Sequence, residues 1–262
     1  SRGLGDVYKR QVHNSWYDRT LRREVNLVED ETVRVLGGEG RAASPARFLG
    51  FTVGDLLKTR SPRSRVVGVS FKDRAAILMA GKRADAAYWY ETQGGRFVTS
   101  THYMDAAPDW LETWNARRVP DTYAARPWER LLPDPALYTK YAGPDAVAGE
   151  WNNKDTVFPH HIPARPPADN YYGDLQRTPF ADTILLEFAL AAMDGHHLGE
   201  DEATDLLAIS FSACDVIGHA YGPDSQEILD QLLRLDRSLG RLLDELDRRV
   251  GKDGSMVVLT GD

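Results

Sequence analysis

The first third of the chain alternates short apolar runs with stretches of helical periodicity. Residues 65–71 form an apolar run of the kind that is typical of a buried strand, and residues 73–81 follow with a helical pattern that ends at a glycine. Further upstream, residues 32–36 predict another strand. Residues 44–58 predict a helix that begins with a Ser-Pro cap. This alternation predicts a sheet whose core strands run parallel.

The last third of the chain returns to the same alternation. Residues 182–193 predict a helix, and the apolar run 205–212 predicts a buried strand. Residues 224–250 place leucines three and four positions apart, which predicts a long amphipathic helix with one face in the core. The apolar run 255–259 predicts a final strand. Helices and strands that alternate in this way predict a doubly wound α/β/α sandwich.

The middle of the chain has a different pattern. Residues 86–91 and 96–101 flank the sequence Thr-Gln-Gly-Gly, which predicts a hairpin. Most of the prolines and tryptophans then lie between residues 108 and 167, in a stretch with little periodicity. Such stretches are typical of irregular insertions that cover a scaffold. We therefore predict an insertion or cap subdomain at roughly 84–177.

Composition and charge exclude several classes of protein. The 262 residues carry a net charge of −7, which argues against a nucleic-acid partner held by general electrostatics. No window of 18 uncharged apolar residues exists, so the sequence excludes a helical membrane span. The single cysteine, Cys214, excludes a disulfide within the chain.

Both ends of the sequence indicate that it is part of a longer protein sequence. Residues 1–11 lack an initiator methionine and an apolar period, and we interpret them as a non-native artefact. The other end follows directly on the apolar run 255–259, although domains rarely stop at a core strand. Residues 12–262 are therefore expected to form an incomplete domain.

Polar side chains that can carry chemistry follow three of the predicted strands. Lys72 and Arg74 come after the strand at 65–71, and Asp215 and His219 come after the strand at 205–212. Asp262 follows the last predicted strand. Because functional residues of open α/β sheets gather at the carboxyl ends of the strands, we expect these groups to meet at one edge.

Two kinds of binding chemistry are consistent with these side chains. A carboxylate and an imidazole four positions apart, as in Asp215 and His219, can reach one cation, and this pair suits Zn²⁺. The alternative is a helix-capping Asp and a hydrogen-bonded His. Lys72 and Arg74 at a helix N-terminus suit a phosphoryl or sulfuryl oxyanion. The alternative is a solvated loop with a salt bridge to Asp73.

Other reactive residues give weaker signals. Cys214 ends an apolar run, which favours a small buried thiol over a nucleophile. The pairs His160-His161 and His196-His197 lack partners at ligand spacing. We interpret these four histidines as surface or insertion residues.

Three segments together resemble the alkaline phosphatase superfamily. They are Ser-Phe-Lys-Asp-Arg-Ala-Ala-Ile-Leu at 70–78, Asp-x-x-Gly-His-x-x-Gly-Pro-x-Ser-x-Glu at 215–227 and Leu-Thr-Gly-Asp at 259–262. The branch they resemble contains phosphomonoesterases with a threonine nucleophile, which are grouped with type I phosphodiesterases and nucleotide pyrophosphatases. Residues 12–19 resemble the stretch that follows that threonine.

The resemblance implies a role for each matching residue. Asn14 would donate to a non-bridging phosphoryl oxygen, and Lys72 and Arg74 would clamp the phosphoryl group. The diesterase branch lacks the Lys–Arg pair, so its presence favours monoesters. Asp215 and His219 would bind one of two Zn²⁺ ions, and Asp262 would bind the other.

The resemblance also implies the activity of the longer protein. It would hydrolyse small-molecule phosphate monoesters through a phospho-threonine, in the periplasm or outside the cell. The nucleophile and three of six metal ligands would lie outside this chain, so the piece alone should be inactive. A phosphodiesterase, nucleotide pyrophosphatase or sulfatase of the same superfamily is the alternative. A non-catalytic binding module that uses residues 84–177 is the alternative from another class.

Overall fold

A five-stranded mixed sheet carries the fold of this chain. The computed structural model describes residues 14–151, 153, 155–162 and 164–261. The strands are β1 (Ser15–Asp18), β2 (Arg23–Asn26), β3 (Val35–Leu36), β4 (Val66–Ser70), β5 (Ala86–Glu91), β6 (Arg96–Ser100) and β7 (Leu206–Ser210). The helices are α1 (Val53–Arg60), α2 (Asp73–Ala80), α3 (Asp109–Ala116), α4 (Pro135–Ala142), α5 (Asp169–Leu175), α6 (Phe180–Gly195), α7 (Ala213–Tyr221) and α8 (Gln226–Val250), with a 3₁₀ turn at Val119–Tyr123.

The sheet has β4 near its centre. The strand order is β3-β6-β5-β4-β7, and β1 pairs with β2 in a separate two-stranded sheet. β4 runs parallel to both β5 and β7, whereas the β5–β6 and β3–β6 pairs are antiparallel. All five residues of β4 are buried, as expected for an apolar strand that helices cover on both faces.

Helices pack on both faces of this sheet, which confirms the predicted α/β/α sandwich. On one face, Ala76 and Ile77 of α2 join a buried apolar cluster with Trp89 of β5. On the other face, Phe188 of α6 stacks on Phe97 of β6, with ring centroids 3.8 Å apart. Helix α8 lies outside this second layer and packs against α6 and α7.

The irregular middle region begins later than the sequence predicted. Residues 86–91 and 96–100, which we had assigned to the insertion, form β5 and β6 of the main sheet. Their apolar side chains are buried between the helical layers, so they belong to the scaffold. The region between β6 and α6, residues 101–179, has the short helices and irregular chain that were expected, and we refer to it as the cap.

One buried carboxylate ties the cap to α8. Asp230 is fully buried, and its Oδ2 accepts a hydrogen bond from Trp128 Nε1 at 2.7 Å. Its Oδ1 accepts from the Leu131 backbone N–H at 2.6 Å and from the Tyr138 hydroxyl at 2.5 Å. The guanidinium of Arg234 pairs with the same carboxylate at 2.6 Å. A charge with this many donors can be buried without a large penalty.

The helix predicted at 44–58 begins later, at α1. Ser44 lies in a loop, where its hydroxyl donates to Asp30 Oδ2 at 2.5 Å instead of capping a helix. Thr52 is the observed N-cap, and it forms a capping box with Asp55. The strand predicted at 32–36 shortens to β3 because Asp30 Oδ1 accepts the Thr32 backbone N–H in a turn.

The strand predicted at 255–259 is wrong. Residues 255–261 have no strand assignment, and Met256 is 91% exposed. A strand needs a partner for its backbone N–H and C=O groups, and the free edges of the five-stranded sheet are those of β3 and β7. In the described part of the chain, no backbone hydrogen bond joins residues 255–261 to a strand. The described helices also include none that is long and apolar enough to cross a membrane.

Gly68 provides a test of how closely α2 packs on β4. A Cβ at this position would lie 2.2 Å from the Ala76 carbonyl oxygen, so we expect Gly68→Ala to lower the free energy of unfolding by about 2–3 kcal/mol. Gly240→Ala is the matched control. Among the described residues, no heavy atom lies within 4 Å of that added Cβ, and in helix α8 the change should raise stability by up to ~1 kcal/mol. Urea unfolding measures both, and equal stability of the two variants would contradict the close packing.

Candidate functional site

The carboxyl ends of β4 and β7 form the base of the candidate site. These strands are parallel neighbours, with Ser70 opposite Ser210. Their ends therefore meet at one edge of the sheet, and the Ser70 hydroxyl lies 3.3 Å from the hydroxyl of Ser212. Ser70 Oγ also accepts the Lys72 backbone N–H at 3.1 Å. The structure thus brings together the two polar clusters that follow these strands.

Helix α7 presents Asp215 and His219 at this edge. Asp215 lies in the first turn of α7 and His219 in the last. Residues four apart share a helix face, and His219 Nε2 lies 3.4 Å from Asp215 Oδ1. The His219 side chain is 83% exposed, so its imidazole is accessible to a ligand.

Lys72 pairs directly with Asp215. Its Nζ contacts Asp215 Oδ2, and the two side chains are 22% and 48% exposed. This hydrogen bond from Lys72 is the main cause that lowers the pKa of Asp215, and the charges of His219 and Arg74 add to it. The carboxylate at the strand edge is therefore anionic, and three basic side chains surround it.

Asp73 does not neutralise the basic pair. Its Oδ2 lies 3.3 Å from Arg41 Nη2, and its Oδ1 accepts only the backbone N–H of Arg74, at 2.7 Å. The predicted alternative, a loop closed by a salt bridge from Lys72 or Arg74 to Asp73, is absent from the described residues. Lys72 instead occupies the N-cap position of α2, beside the backbone N–H groups of the first turn, of which that of Arg74 is bonded to Asp73.

The remaining predicted site residues are not hydrogen-bonded to this cluster in the described structure or lie outside the described chain. Asn14 is exposed, and its carbonyl oxygen accepts the Leu27 backbone N–H at 2.9 Å, next to the β1–β2 sheet. Across residues 14–261 where the structure describes them, no hydrogen bond joins the Asn14 side chain to Lys72 or Asp215. Asp262 lies outside the described residues.

The donor set at α7 suits a zinc ion in part. Carboxylate oxygen and imidazole nitrogen are both zinc ligands, and a closed site takes four ligands. Within the described ranges, no group of three or more His, Cys, Asp or Glu side chains is arranged to hold a metal ion. Asp215 and His219 can therefore supply two ligands, and a complete site needs donors from beyond them.

Cys214 is half-buried between these elements. Burial is the main cause that raises the pKa of its thiol, with a contribution from the charge of Asp182. A raised pKa keeps the thiol protonated, whereas a nucleophile needs the thiolate. The structure thus agrees with the interpretation of Cys214 as a packed thiol.

Of the two expectations for His160, a surface residue or an insertion residue, only the first is wrong. Its side chain is 3% exposed, with Nε2 2.8 Å from Glu227 Oε1 and Nδ1 3.2 Å from Asp155 Oδ1. Glu227 is the last residue of the Asp-x-x-Gly-His motif segment and is completely buried. A buried glutamate needs a cationic or hydrogen-bonded partner, and His160 supplies it here. Glu227 precedes the leucine pattern of α8, so that pattern gave no signal for this pair.

His196 is also less exposed than predicted. Its Nε2 lies 2.8 Å from the Tyr88 hydroxyl, and burial lowers the pKa of His196 to about 4. His197, by contrast, is exposed, as predicted. Neither residue contacts the strand-edge cluster in the described part of the structure.

Comparisons with known proteins agree on one family. The family model for type I phosphodiesterase / nucleotide pyrophosphatase matches residues 11–262. The alkaline phosphatase PhoV of Synechococcus elongatus is 37% identical over 255 residues, which span 96% of this chain and 46% of that protein. The alkaline phosphatase PafA of Elizabethkingia meningoseptica is 36% identical over 258 residues, which span 95% of this chain and 46% of that protein.

Solved structures give the same result for the fold. The crystal structure of wild-type alkaline phosphatase PafA superposes with a TM-score of 0.84 at 37% identity, and covers 92% of this chain and 47% of that one. A PafA variant in which a threonine, an asparagine, a lysine and an arginine are replaced gives a TM-score of 0.83. The chain therefore spans about half the length of the relatives it matches.

The ion pair between His160 and Glu227 predicts a pH dependence of stability. Desolvation lowers the pKa of His160, but the hydrogen bond and charge of Glu227 and the charge of Asp155 outweigh it and raise the pKa above 6.5. The stabilisation from a raised histidine pKa is present below the unfolded value and is lost as pH rises through the folded value. We therefore expect the free energy of unfolding to fall as the pH rises from the unfolded pKa of His160 to its folded pKa.

Glu227→Gln removes the partner charge and should lower the pKa of His160, measured from the imidazole proton shifts in an NMR titration. Glu200→Gln is the control, because the His197–Glu200 pair is 65% and 60% exposed and remote from His160. A His160 pKa that is the same in both variants would show that Glu227 does not hold the proton.

Proposed function

Because the chain belongs to the type I phosphodiesterase / nucleotide pyrophosphatase family, we propose that the protein containing it is a metal-dependent phosphatase that hydrolyses phosphate monoesters. The observation that carries the proposal is the cluster of Lys72 and Asp215 at the strand edge, beside the N-terminus of α2. It offers a cation at a helix N-terminus to an anion, and a carboxylate to a metal ion.

The relatives support a phosphatase. PhoV and PafA are both named alkaline phosphatases and match nearly all of this chain. The lysine and arginine replaced in the PafA variant lie two positions apart, as Lys72 and Arg74 do here. This spacing supports the proposal that Lys72 and Arg74 bind the phosphoryl group.

We propose a separate role in the reaction for each of the matching residues of this chain. Lys72 and Arg74 bind non-bridging phosphoryl oxygens through charge-assisted hydrogen bonds, which strengthen as negative charge builds up in the transition state. Asn14 adds a neutral donor to the same group. The nucleophile is a threonine that residues 12–262 do not supply, so we expect this piece alone to be inactive.

Zinc is the metal we propose, with two ions per complete protein. Asp215 and His219 would hold one ion, and Asp262 would contribute to the other. When bound, zinc supplies a Lewis acid that stabilises negative charge on the phosphoryl and leaving-group oxygens. We further propose that the protein acts in the periplasm or outside the cell, on small-molecule phosphate esters.

A phosphodiesterase is the second candidate, and the description of the family model favours it. A monoester carries a dianionic terminal phosphoryl group, whereas a diester carries one negative charge. Two adjacent cations suit the dianion better, because each can pair with a charged oxygen. A sulfatase and a non-catalytic module that binds through the cap are further outcomes of the tests below.

Removal of the basic pair tests the proposed function. In the complete protein, Lys72→Ala and Arg74→Ala should each lower kcat/KM for an aryl phosphate monoester on the order of 10–1000-fold, because each change removes roughly 1.4–4 kcal/mol of transition-state stabilisation. Arg63→Ala, an exposed arginine remote from the strand edge, is the control and should keep full activity. If both variants hydrolyse the monoester as fast as the Arg63→Ala control, Lys72 and Arg74 do not bind the phosphoryl group.

Substrate class and metal content are measured on the same protein. Turnover of an aryl phosphate monoester should exceed that of the matching diester and the matching sulfate ester. Elemental analysis should find two zinc ions per chain. A faster diester or sulfate reaction would replace the proposed substrate, and a metal-free, inactive protein would support the binding module.

A further inference from the structure

A buried carboxylate lies beneath the candidate metal-binding helix. Asp182 in α6 is 2% exposed, and its Oδ1 accepts the Ala213 backbone N–H at 3.2 Å. The backbone N–H of Ser212 donates to the same carboxylate. Its Oδ2 accepts from Gln231 Nε2 in α8 at 2.7 Å. One side chain therefore links α6, α8 and the first residues of α7.

The N-terminus of α7 depends on this link because its own cap residue is used elsewhere. Ser212 is the N-cap of α7, but its side chain makes no capping hydrogen bond in the described structure. Its hydroxyl faces Ser70 Oγ at 3.3 Å and the Ser210 carbonyl at 3.4 Å. The first N–H groups of a helix need an acceptor, and here Asp182 from a neighbouring helix supplies it.

The carboxylate is kept at some cost. Burial raises the pKa of Asp182 to about 7, although the three N–H donors oppose that shift. Among the described residues, no lysine or arginine pairs with it, so backbone and amide N–H groups alone stabilise the charge. An apolar side chain would fill the same space without this cost but would leave the Ala213 and Ser212 N–H groups without this acceptor, which indicates that the acceptor oxygens have a specific task.

We propose that Asp182 is a positioning residue that fixes the first turn of α7 and thereby the direction in which Asp215 meets Lys72 and a bound metal ion. Asp215 lies two residues after Ala213, so a change in the start of α7 moves its carboxylate directly. The Ser70–Ser212 contact holds α7 to β4, and Asp182 holds it to α6. This role rests on the proposed function, because it concerns the metal ligands assigned there.

Three variants in α6 distinguish a local effect of Asp182 on the start of α7 from a general loss of stability. Asp182→Ala removes the acceptor. Asp182→Asn keeps the shape: its Oδ1 can accept from Ala213, and once the Gln231 amide rotates by 180° its Nδ2 can donate to Gln231 Oε1, which has no partner among the described residues. Glu187→Gln is the matched control, because Glu187 is in α6 as well but makes only a 3.9 Å ion pair with Arg241 near the surface.

The first measurement is amide hydrogen exchange at residues 212–216 of this chain. We expect exchange there to speed up at least about tenfold in Asp182→Ala, to rise less in Asp182→Asn and to stay unchanged in Glu187→Gln. Exchange in the β4 and β5 amides reports global unfolding and should change little in the Asn variant. Unchanged exchange at 212–216 in Asp182→Ala overturns the proposal.

The second measurement uses the complete protein. Zinc affinity, from competition with a chelator, and kcat for an aryl phosphate monoester should each fall about 10–100-fold in Asp182→Ala. KM should change less than twofold, and Asp182→Asn should recover most of the zinc affinity. A purely stabilising residue would lower the melting temperature and leave the zinc affinity of the folded protein unchanged, and that result overturns the proposal.

The two proposals fail in different ways. If the wild-type protein binds no zinc and turns over no monoester, the proposed function is wrong and the role of Asp182 is wrong with it. If the wild type is an active zinc enzyme and Asp182→Ala matches the Glu187→Gln control in exchange or in zinc affinity, only the role of Asp182 is wrong.

Discussion

The parallel pairing of β4 with β7 is the constraint on which the rest of the structure depends. Ser70 and Ser210 lie opposite each other, so the two strands end at the same level and both chains emerge at one edge. Lys72 reaches Asp215 only because of that register. A slip by one residue would turn Lys72 or the start of α7 to the other face of the sheet.

Buried carboxylates also fix how the helices pack against one another and against the cap. Asp182, Glu227 and Asp230 are almost fully buried, and each bonds to an element distant in the chain. Asp230 and Glu227 hold the cap to α8, and Asp182 joins α6 and α8 to α7. Because each needs several donors in place at once, these contacts favour one arrangement of the helices over looser apolar packing.

The sequence predicted the two central parallel strands and the polar residues that follow them, because both depend on local patterns. The apolar runs at 65–71 and 205–212 became β4 and β7, and the polar residues after them meet as expected. The helix at 44–58 was placed too early because the Ser44 hydroxyl donates to Asp30 and accepts the Ala46 N–H in a turn, whereas the helix is capped at Thr52. His160 was missed because its partner Glu227 is 67 residues away, and no local pattern reports such a contact.

The β4–β7 contact also determines how long a newly synthesised chain must wait before its central strands can pair. Ser70 and Ser210 are separated by 140 residues, so the central pair closes a very long loop. At roughly 5–20 residues per second, a ribosome needs about 7–28 s to make the stretch between them. During that time the apolar edge of β4 has no partner on the β7 side. A newly made chain is therefore most exposed to strand-to-strand aggregation before β7 has been synthesised. We expect the chain to depend on chaperones mainly during this interval.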